Sequence, residues 1–137
     1  MNRKKTNNMK SIYRIVMFLA VCLLSQGCND YPVDDNDLLI TDSEECYISS
    51  FILRGPDNRD VLASYNIDDE ANTITGVAKF GTNLKNVKPQ CGVAKDCIVT
   101  PNMGEWTDFS QPRQYTVISG NRKVKKTYTI TVTVQGE

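Results

Sequence analysis

Cys28 is the residue of this sequence whose chemistry is clearest from its surroundings. It follows an uninterrupted apolar run over residues 15–24 and the short stretch Ser25, Gln26 and Gly27. A small residue directly before a cysteine, at the end of such a run, is typical of a lipobox, in which the chain is cleaved before the cysteine and the cysteine is lipidated. We therefore expect lipidation at Cys28, with acyl chains that contribute about 0.8 kcal/mol for each buried CH₂ and hold the protein at a membrane.

Residues 1–27 have the features of a lipoprotein signal peptide. Basic residues occupy the first part, and the apolar run of ten residues is well short of the roughly 20 that span a bilayer as a helix. Met9 begins a shorter leader of the same kind, so a start at Met1 and a start at Met9 both stay open. The alternative is an ordinary secretory signal that is followed by an incidental cysteine.

Removal of this leader changes the charge of the protein. Five of the 16 basic residues precede residue 15, whereas all 16 acidic residues follow residue 29, which leaves a net charge of −5. A surface that binds nucleic acid needs a basic excess, so no nucleic acid is expected as a partner. The sequence also lacks histidine, which removes the Ser-His-Asp and Cys-His catalytic arrangements and the commonest ligand of zinc. We expect no enzyme activity, no cofactor and no metal site.

An acidic stretch follows the cysteine. Residues 29–45 contain seven Asp or Glu side chains and no basic one, and their mutual repulsion predicts a disordered acidic tether over residues 28–45. Acidic residues close behind a lipidated cysteine resemble the export signal of Bacteroidetes surface lipoproteins. This resemblance implies an export signal at Asp30, Asp34 and Asp35 and a lipid-anchored protein of the outer membrane, exposed at the cell surface. The alternative is a solvated spacer.

Beyond residue 45 the chain consists of short alternating runs that are separated by Gly, Pro, Asn and Asp. Turn signals about every ten residues, without a sustained helical period, predict an all-β fold, an Ig-like antiparallel β-sandwich over residues 46–137. The last strand is the clearest, because alternate apolar residues and threonines place one apolar face toward a core. Strands are predicted at residues 46–53, 61–67, 73–80, 90–94, 97–100, 113–119 and 125–134.

Four stretches of this region carry a family resemblance: ITGVAKFGTNLKNVKP, IVTP, DFSQPRQYTVIS and KKTYTITVTV. Together they resemble an Ig-like, cadherin-like module of Bacteroidetes surface lipoproteins, known largely as a domain of unknown function, over about residues 48–134. The resemblance implies a turn at Gly81 and Thr82, a core position for Phe109 and an inward Tyr115 whose hydroxyl is satisfied. It implies adhesion, scaffold or glycan-binding roles and no enzyme activity.

Trp106 departs from the residues usual in such modules. It is the single tryptophan of the chain and lies in a predicted loop over residues 102–108. An exposed indole flanked by Glu105 and Asp108 can stack on a sugar ring while the carboxylates accept hydrogen bonds from its hydroxyl groups. Tyr65 is a second aromatic candidate for ligand binding. The alternative is that Trp106 covers the end of the core.

Cys46, Cys91 and Cys97 remain besides the lipidated cysteine, and this odd number allows one internal disulfide. A five-residue loop between Cys91 and Cys97 sets the two thiols opposite each other and permits a bond. A two-residue hairpin turn instead places them on opposite faces. A bond that uses Cys46 and a set of buried free thiols are the remaining alternatives.

These features predict a non-enzymatic surface lipoprotein. Its lipid anchor binds the membrane, and its domain is a glycan-binding or accessory module. The alternative is a structural or adhesion subunit that packs against other cell-surface proteins.

Overall fold

A computed structural model of the protein describes residues 32–136. The all-β prediction is confirmed in this range, where every predicted strand overlaps an observed one and no helix occurs. Accordingly, the described residues contain no helix with the length and hydropathy of a membrane span. The predicted signal peptide lies outside the described residues. The strands are β1 (Ile48–Arg54), β2 (Leu62–Asp68), β3 (Thr73–Ala78), β4 (Lys88–Val93), β5 (Ile98–Thr100), β6 (Arg113–Ile118) and β7 (Lys125–Val134).

The strands form two sheets with one apolar core. β1 and β4 pair in a two-stranded sheet, and the other strands form a five-stranded sheet in the order β2-β3-β7-β6-β5. Buried residues of both sheets belong to a single hydrophobic cluster, so the arrangement is sandwich-like. This part of the predicted fold class is confirmed, whereas the Ig-like assignment stays a prediction.

One strand pair corrects the predicted antiparallel arrangement. β3 and β7 run parallel, with Thr73 opposite Thr129 and Ala78 opposite Val134, whereas the other strand pairs of the two sheets are antiparallel. A parallel pair needs a long crossover connection. Here the chain leaves β3, passes through β4 in the other sheet, and returns through β5 and β6 to β7. β7 consequently lies in the middle of the five-stranded sheet.

The alternation of β7 has the effect that the sequence predicts. Its four apolar side chains, from Tyr128 to Val134, are buried, and the threonines between them are more exposed. The hydroxyl of Tyr128 donates a hydrogen bond to Asp69, whose other carboxylate oxygen lies 2.7 Å from Lys126 Nζ. Because its one polar group has a partner, this tyrosine can occupy the core.

Aromatic rings form the centre of the core. Phe109 packs against Phe51 of β1 with ring centroids 6.4 Å apart and stacks on Tyr115 of β6 at 6.5 Å. Phe109 is only 1% exposed and Tyr115 only 3%. The predicted core positions of Phe109 and Tyr115 are confirmed. Since Phe51 and Tyr115 belong to different sheets, Phe109 joins the two sheets.

The turn predicted at Gly81 and Thr82 follows β3 directly. Gly81 has a φ of 77°, a left-handed conformation that glycine adopts without a steric penalty. Thr82 closes the turn, because its Oγ1 donates to the Lys79 carbonyl at 2.7 Å. This prediction is confirmed.

Residues 32–45, called the N-terminal segment below, are folded, which corrects the prediction of a disordered tether. Val33 and Leu39 form a bridge across a turn, and Arg122 reaches into that turn. Arg122 Nε lies 3.1 Å from Asp34 Oδ2, with both side chains only 17% exposed, and Arg122 Nη2 donates to the Leu39 carbonyl at 2.9 Å. The acidic run thus finds a counter-charge in a residue that is distant in sequence.

The N-terminal segment packs directly on the turn between β6 and β7. The Thr41 N–H donates to the Gly120 carbonyl at 3.0 Å, and the Asn121 N–H donates to the Ser43 carbonyl at 2.9 Å. A Cβ atom on Gly120 would collide with the Thr41 side chain. The absence of a side chain at Gly120 therefore permits this close contact.

β4 begins two residues earlier than predicted, because it accommodates Pro89. The sequence predicts the strand from Gln90 onward, and a proline within a strand cannot donate to the ladder. In the structure Pro89 lies opposite Leu53, and its carbonyl accepts the Gly104 N–H at 2.8 Å. The hydrogen-bonding side of Pro89 therefore faces away from β1, and the missing N–H leaves no gap in the β1–β4 ladder.

Candidate functional site

The loop between β5 and β6 lies along the free edge of β4 and holds Trp106. Val87 and Thr107 form an isolated antiparallel bridge with N–O distances of 3.2 and 2.8 Å. Three residues before Thr107, the Gly104 N–H is bonded to the carbonyl of Pro89. The loop therefore runs as a short third strand beside β4, and backbone bonds on both sides of Trp106 fix its position.

The indole of Trp106 lies at the surface and remains 49% exposed. Lys88 Nζ lies 4.4 Å from the centroid of its ring, a cation–π contact that holds the indole against β4. Within residues 32–136 the indole forms no pair with another aromatic ring. About half of its surface is thus free for a ligand.

β1 and β4 present a row of side chains beside the indole. Arg54 lies opposite Lys88, and Ile52 lies opposite Gln90. Alternate residues of a strand share a face, and the neighbouring Phe51 and Leu53 are fully buried, so the row points away from the core. We call this surface the outer face. It consists of Ile52, Arg54, Lys88, Gln90 and Trp106.

Hydrogen bonds orient the guanidinium of Arg54 on the outer face. Its Nε donates to Gln90 Oε1 at 2.7 Å, and its Nη1 donates to the Asn58 carbonyl at 2.8 Å. A groove of about 480 Å³ borders the outer face at Ile52 and Gln90 and continues toward Gly104 in the loop of Trp106. The arrangement therefore offers an aromatic surface, hydrogen-bond donors and a concave rim within one region.

The two predicted carboxylates do not join the outer face. Asp108 Oδ1 accepts the Ser110 N–H at 2.8 Å, and hydrogen bonds from the hydroxyl and N–H of Ser110 lower the pKa of Asp108. Glu105 lines a separate groove of about 480 Å³ that also contains Arg113 and Tyr115. The chain bends at residues 103–105, where Gly104 has a φ of 89°, and this bend directs Glu105 into that groove. Asp108 thus closes a turn, and Glu105 belongs to another surface.

Tyr65, the second aromatic candidate, lies on β2 in the other sheet. Its ring meets Phe51 edge to face, with centroids 6.5 Å apart and an interplanar angle of 79°. Although 45% exposed, the ring covers one side of a core residue. The structure does not bring it to the outer face.

All three cysteines within the described residues are free thiols, so the Cys91–Cys97 disulfide is not formed in the structure. Cys91 lies opposite Phe51 in the β1–β4 sheet, whereas Cys97 Sγ donates to the Glu45 carbonyl at 3.0 Å. Burial raises the pKa of the Cys46 and Cys97 thiols and raises that of Cys91 to about 11. Since the thiolate is the nucleophile, these thiols are weakly reactive at neutral pH.

The predicted export residues fall partly within the structure. Asp34 is bonded within the N-terminal segment, where the N–H groups of Leu38 and Asn36 lower its pKa and Arg122 lowers it further. Asp35 is exposed. Cys28 and Asp30 lie outside the described residues, and the lipidation and export roles stay predictions.

Sequence reasoning missed Arg54, Lys88 and Gln90 as members of a candidate site. The signal for them is the alternation of β1 and β4, which places each on the solvent side of its strand. Their proximity follows from the β1–β4 register, which joins residues more than 30 positions apart. Within residues 32–136, His, Cys, Asp and Glu form no cluster of three or more that could hold a metal ion.

A family match accompanies this geometry. Residues 48–132 match the family described as “SGBP, N-terminal”, and this range is more than half of the chain. The chain belongs to this family. Among curated proteins, none matches it significantly.

Solved structures from Bacteroides resemble this member of the SGBP N-terminal family. A candidate glycoside hydrolase of Bacteroides thetaiotaomicron is 30% identical with a TM-score of 0.56, and the match covers 64% of this chain and 24% of that one. A candidate secreted protein of Bacteroides fragilis is 20% identical with a TM-score of 0.53, over 66% of this chain and 96% of that one. A DUF4623 family protein of Bacteroides eggerthii is 17% identical with a TM-score of 0.52, over 68% of this chain and 22% of that one.

These similarities differ in what they support. The second and third structures support the fold alone, because their identities are 20% and 17%. The SGBP family chain spans only 24% of the length of the Bacteroides thetaiotaomicron protein and 22% of the Bacteroides eggerthii protein. In those two proteins the matching domain is therefore a minor part of a longer chain.

Proposed function

We propose that this chain is a lipid-anchored lipoprotein at the cell surface whose domain binds glycans at the outer face. The observation that carries the proposal is the position of Trp106, half-exposed and fixed by backbone bonds beside β4. A sugar ring packs its C–H groups on such an aromatic surface, while polar side chains around it bond to the hydroxyl groups. Arg54, Lys88 and Gln90 supply such polar groups next to the indole.

The family match supports a binding role. SGBP denotes a glycan-binding protein, and the first structural neighbour is described as a candidate glycoside hydrolase, a class of enzyme that acts on glycans. Because that neighbour is about four times longer than its matching part, we propose that the domain is a non-enzymatic accessory module. A catalytic role would require acid and base groups in one cleft, and the carboxylate in register with Arg54, that of Asp60, instead caps the start of β2 by accepting the Leu62 N–H.

Glycan binding is tested by titration of the protein with a panel of neutral and acidic oligosaccharides. Since Trp106 is the only tryptophan, its fluorescence reports directly on the outer face. We expect a shift of emission with at least one oligosaccharide. We also expect calorimetric binding of that oligosaccharide to fall by about fivefold or more in Trp106→Ala, by analogy with bases stacked on aromatic side chains, for which the contact is worth about 1–3 kcal/mol.

The matched control is Tyr47→Ala. Tyr47 is also an exposed aromatic residue, but it precedes β1 at the end far from Arg54, about 20 Å away at the rise of a β-strand. Binding is expected to be unchanged in this variant. Equal losses in both variants would contradict a site at the outer face, and no binding across the panel would favour a structural or adhesion subunit that packs against other surface proteins.

The anchor is tested separately with Cys28→Ala. We expect the wild-type protein in the membrane fraction and accessible to protease on intact cells, and the variant released from the membrane. Membrane attachment that persists in Cys28→Ala would contradict lipidation at this residue.

A further inference from the structure

Two cations face each other on the outer face, and neither belongs to an ion pair. A carboxylate lies in register with Arg54 on the other side of β1, that of Asp60, and it accepts the Leu62 N–H at 3.0 Å. Arg54 and Lys88 are directly opposite in the β1–β4 register. The ion pairs within residues 32–136 are Arg59–Asp57, Arg122–Asp34 and Lys126–Asp69, and neither Arg54 nor Lys88 belongs to them. Like charges directly opposite on a sheet destabilise it. A bound anion would remove this repulsion.

The guanidinium of Arg54 is prepared to bind such an anion. Hydrogen bonds to Gln90 and to the Asn58 carbonyl use its Nε–H and one Nη1–H. A guanidinium has five N–H donors in a planar fork, so its Nη2 group and the second Nη1–H remain. Because the two existing bonds hold the plane in place, a carboxylate can bind it bidentately with little further loss of side-chain freedom.

Lys88 connects this anion site to the aromatic surface. Its ammonium group lies 4.4 Å from the Trp106 ring centroid, and its backbone is directly opposite that of Arg54 in the β1–β4 register. A sugar that packs on the exposed part of the indole therefore has two cations beside it. An anionic group that belongs to the stacked sugar can contact the cations while the same sugar ring packs on the indole.

We infer that the outer face selects glycans that contain uronic acids, with the sugar carboxylate bound between Arg54 and Lys88 and the ring against Trp106. This inference rests on the proposed glycan binding and adds the class of sugar to it. The planar fork of Arg54 fits the two oxygens of a carboxylate, so a uronic acid can accept two parallel hydrogen bonds from it.

The inference is tested by calorimetry on the full chain with four probes: a galacturonic acid tetramer, its methyl ester, a sulfated galactose tetramer and an oligothymidylate. We expect the galacturonic acid tetramer to bind at least about tenfold more tightly than its uncharged methyl ester, because the ester cannot accept a charge-assisted hydrogen bond. We also expect its affinity to fall as the salt concentration rises.

Variants identify the two cations. Lys88→Gln is expected to weaken binding of the galacturonic acid tetramer by about tenfold while leaving the bonds of Arg54 intact. Arg54→Lys keeps the charge but loses the fork, and it is expected to weaken binding as well. Lys95→Gln is the matched control, because this exposed lysine lies beyond the opposite end of β4, and binding should not change. Thermal melts establish that each variant is folded.

Several results would overturn the inference. Equal binding of the methyl ester would leave glycan binding in place but remove the selection for uronic acids. Equal or tighter binding of the sulfated tetramer would indicate that the site does not select carboxylates over sulfates. Equal binding of oligothymidylate would indicate a general polyanion site, and binding of no sugar at all would contradict the proposed function itself.

Discussion

Phe109→Ala is expected to destabilise the domain by about 3–5 kcal/mol, the range for removing a fully buried aromatic ring. Phe109 is 1% exposed and packs between Phe51 and Tyr115, with ring centroids 6.4 and 6.5 Å away. Both ring neighbours lie in strands, one in each sheet, which limits how far they can move into the vacated space. Since small domains are stable by only about 5–15 kcal/mol, this loss is a large part of the total.

The measurement is urea unfolding followed by far-ultraviolet circular dichroism. Phe80→Ala is the matched control, because Phe80 is 82% exposed and the same atoms are removed from a site in solvent. We expect the control to change the free energy of unfolding by no more than about 0.5 kcal/mol. Phe109 also lies in the loop that carries Trp106, so a small quencher should reach the indole more readily in Phe109→Ala under native conditions. Equal destabilisation by the two substitutions would refute the role of Phe109 as the residue that joins the sheets.

Three further predictions concern the remaining charged and buried groups. Arg122→Ala is expected to release the N-terminal segment, which should then be cleaved by protease while the strands stay protected. The Cys91 thiol is expected to react slowly with iodoacetamide at pH 8 and faster toward pH 11, because burial raises its pKa to about 11. Hydrogen bonds from Lys126 and Tyr128 lower the pKa of Asp69 in the folded protein. Its carboxylate therefore contributes to stability above the pKa of an unfolded aspartate, about 3.9, and we expect this contribution to be lost as the pH falls through the folded pKa.

Each of these has a control and a result that would contradict it. Lys123→Ala removes a neighbouring exposed charge and should leave the N-terminal segment protected; protection that persists in the Arg122 variant would show that other contacts suffice. Alkylation of Cys91 at the rate of an exposed cysteine at pH 8 would contradict its burial. Asp69→Asn should flatten the loss of stability between pH 5 and pH 2 relative to the wild type, and an unchanged acid transition would contradict the contribution of this carboxylate.

The strands of this fold could be predicted from local patterns, but the pairing of the strands could not. The alternation in β7 depends on neighbouring residues, and it correctly predicts which side chains are buried. The parallel pairing of β3 with β7 depends on a crossover of the whole intervening chain, which no local pattern records. The N-terminal segment was misjudged for a similar reason. Its acidic residues repel one another, and the arginine that offsets them lies 88 residues from Asp34.

Of the residues in the candidate site, the sequence predicts Trp106 but not the side chains that surround it in the structure. Trp106 could be chosen from sequence because it is a single tryptophan in a polar loop. Glu105 and Asp108 are close to Trp106 in sequence, but the bend at Gly104 directs Glu105 to a separate groove, and Asp108 accepts the Ser110 N–H in a turn. The actual neighbours, Arg54 and Lys88, are brought to the indole by strand register and by the bridge between Val87 and Thr107.

The most direct test of glycan binding at the outer face is nuclear magnetic resonance of the ¹⁵N-labelled protein during titration with the galacturonic acid tetramer. The chain has one tryptophan, so its spectrum contains one indole N–H signal. We predict that this signal and the backbone signals of Arg54, Lys88 and Gln90 shift together with one affinity, while those of β2 and β7 do not. Shifts confined to other strands, or an indole signal that stays in place while the sugar binds, would contradict a glycan site at Trp106.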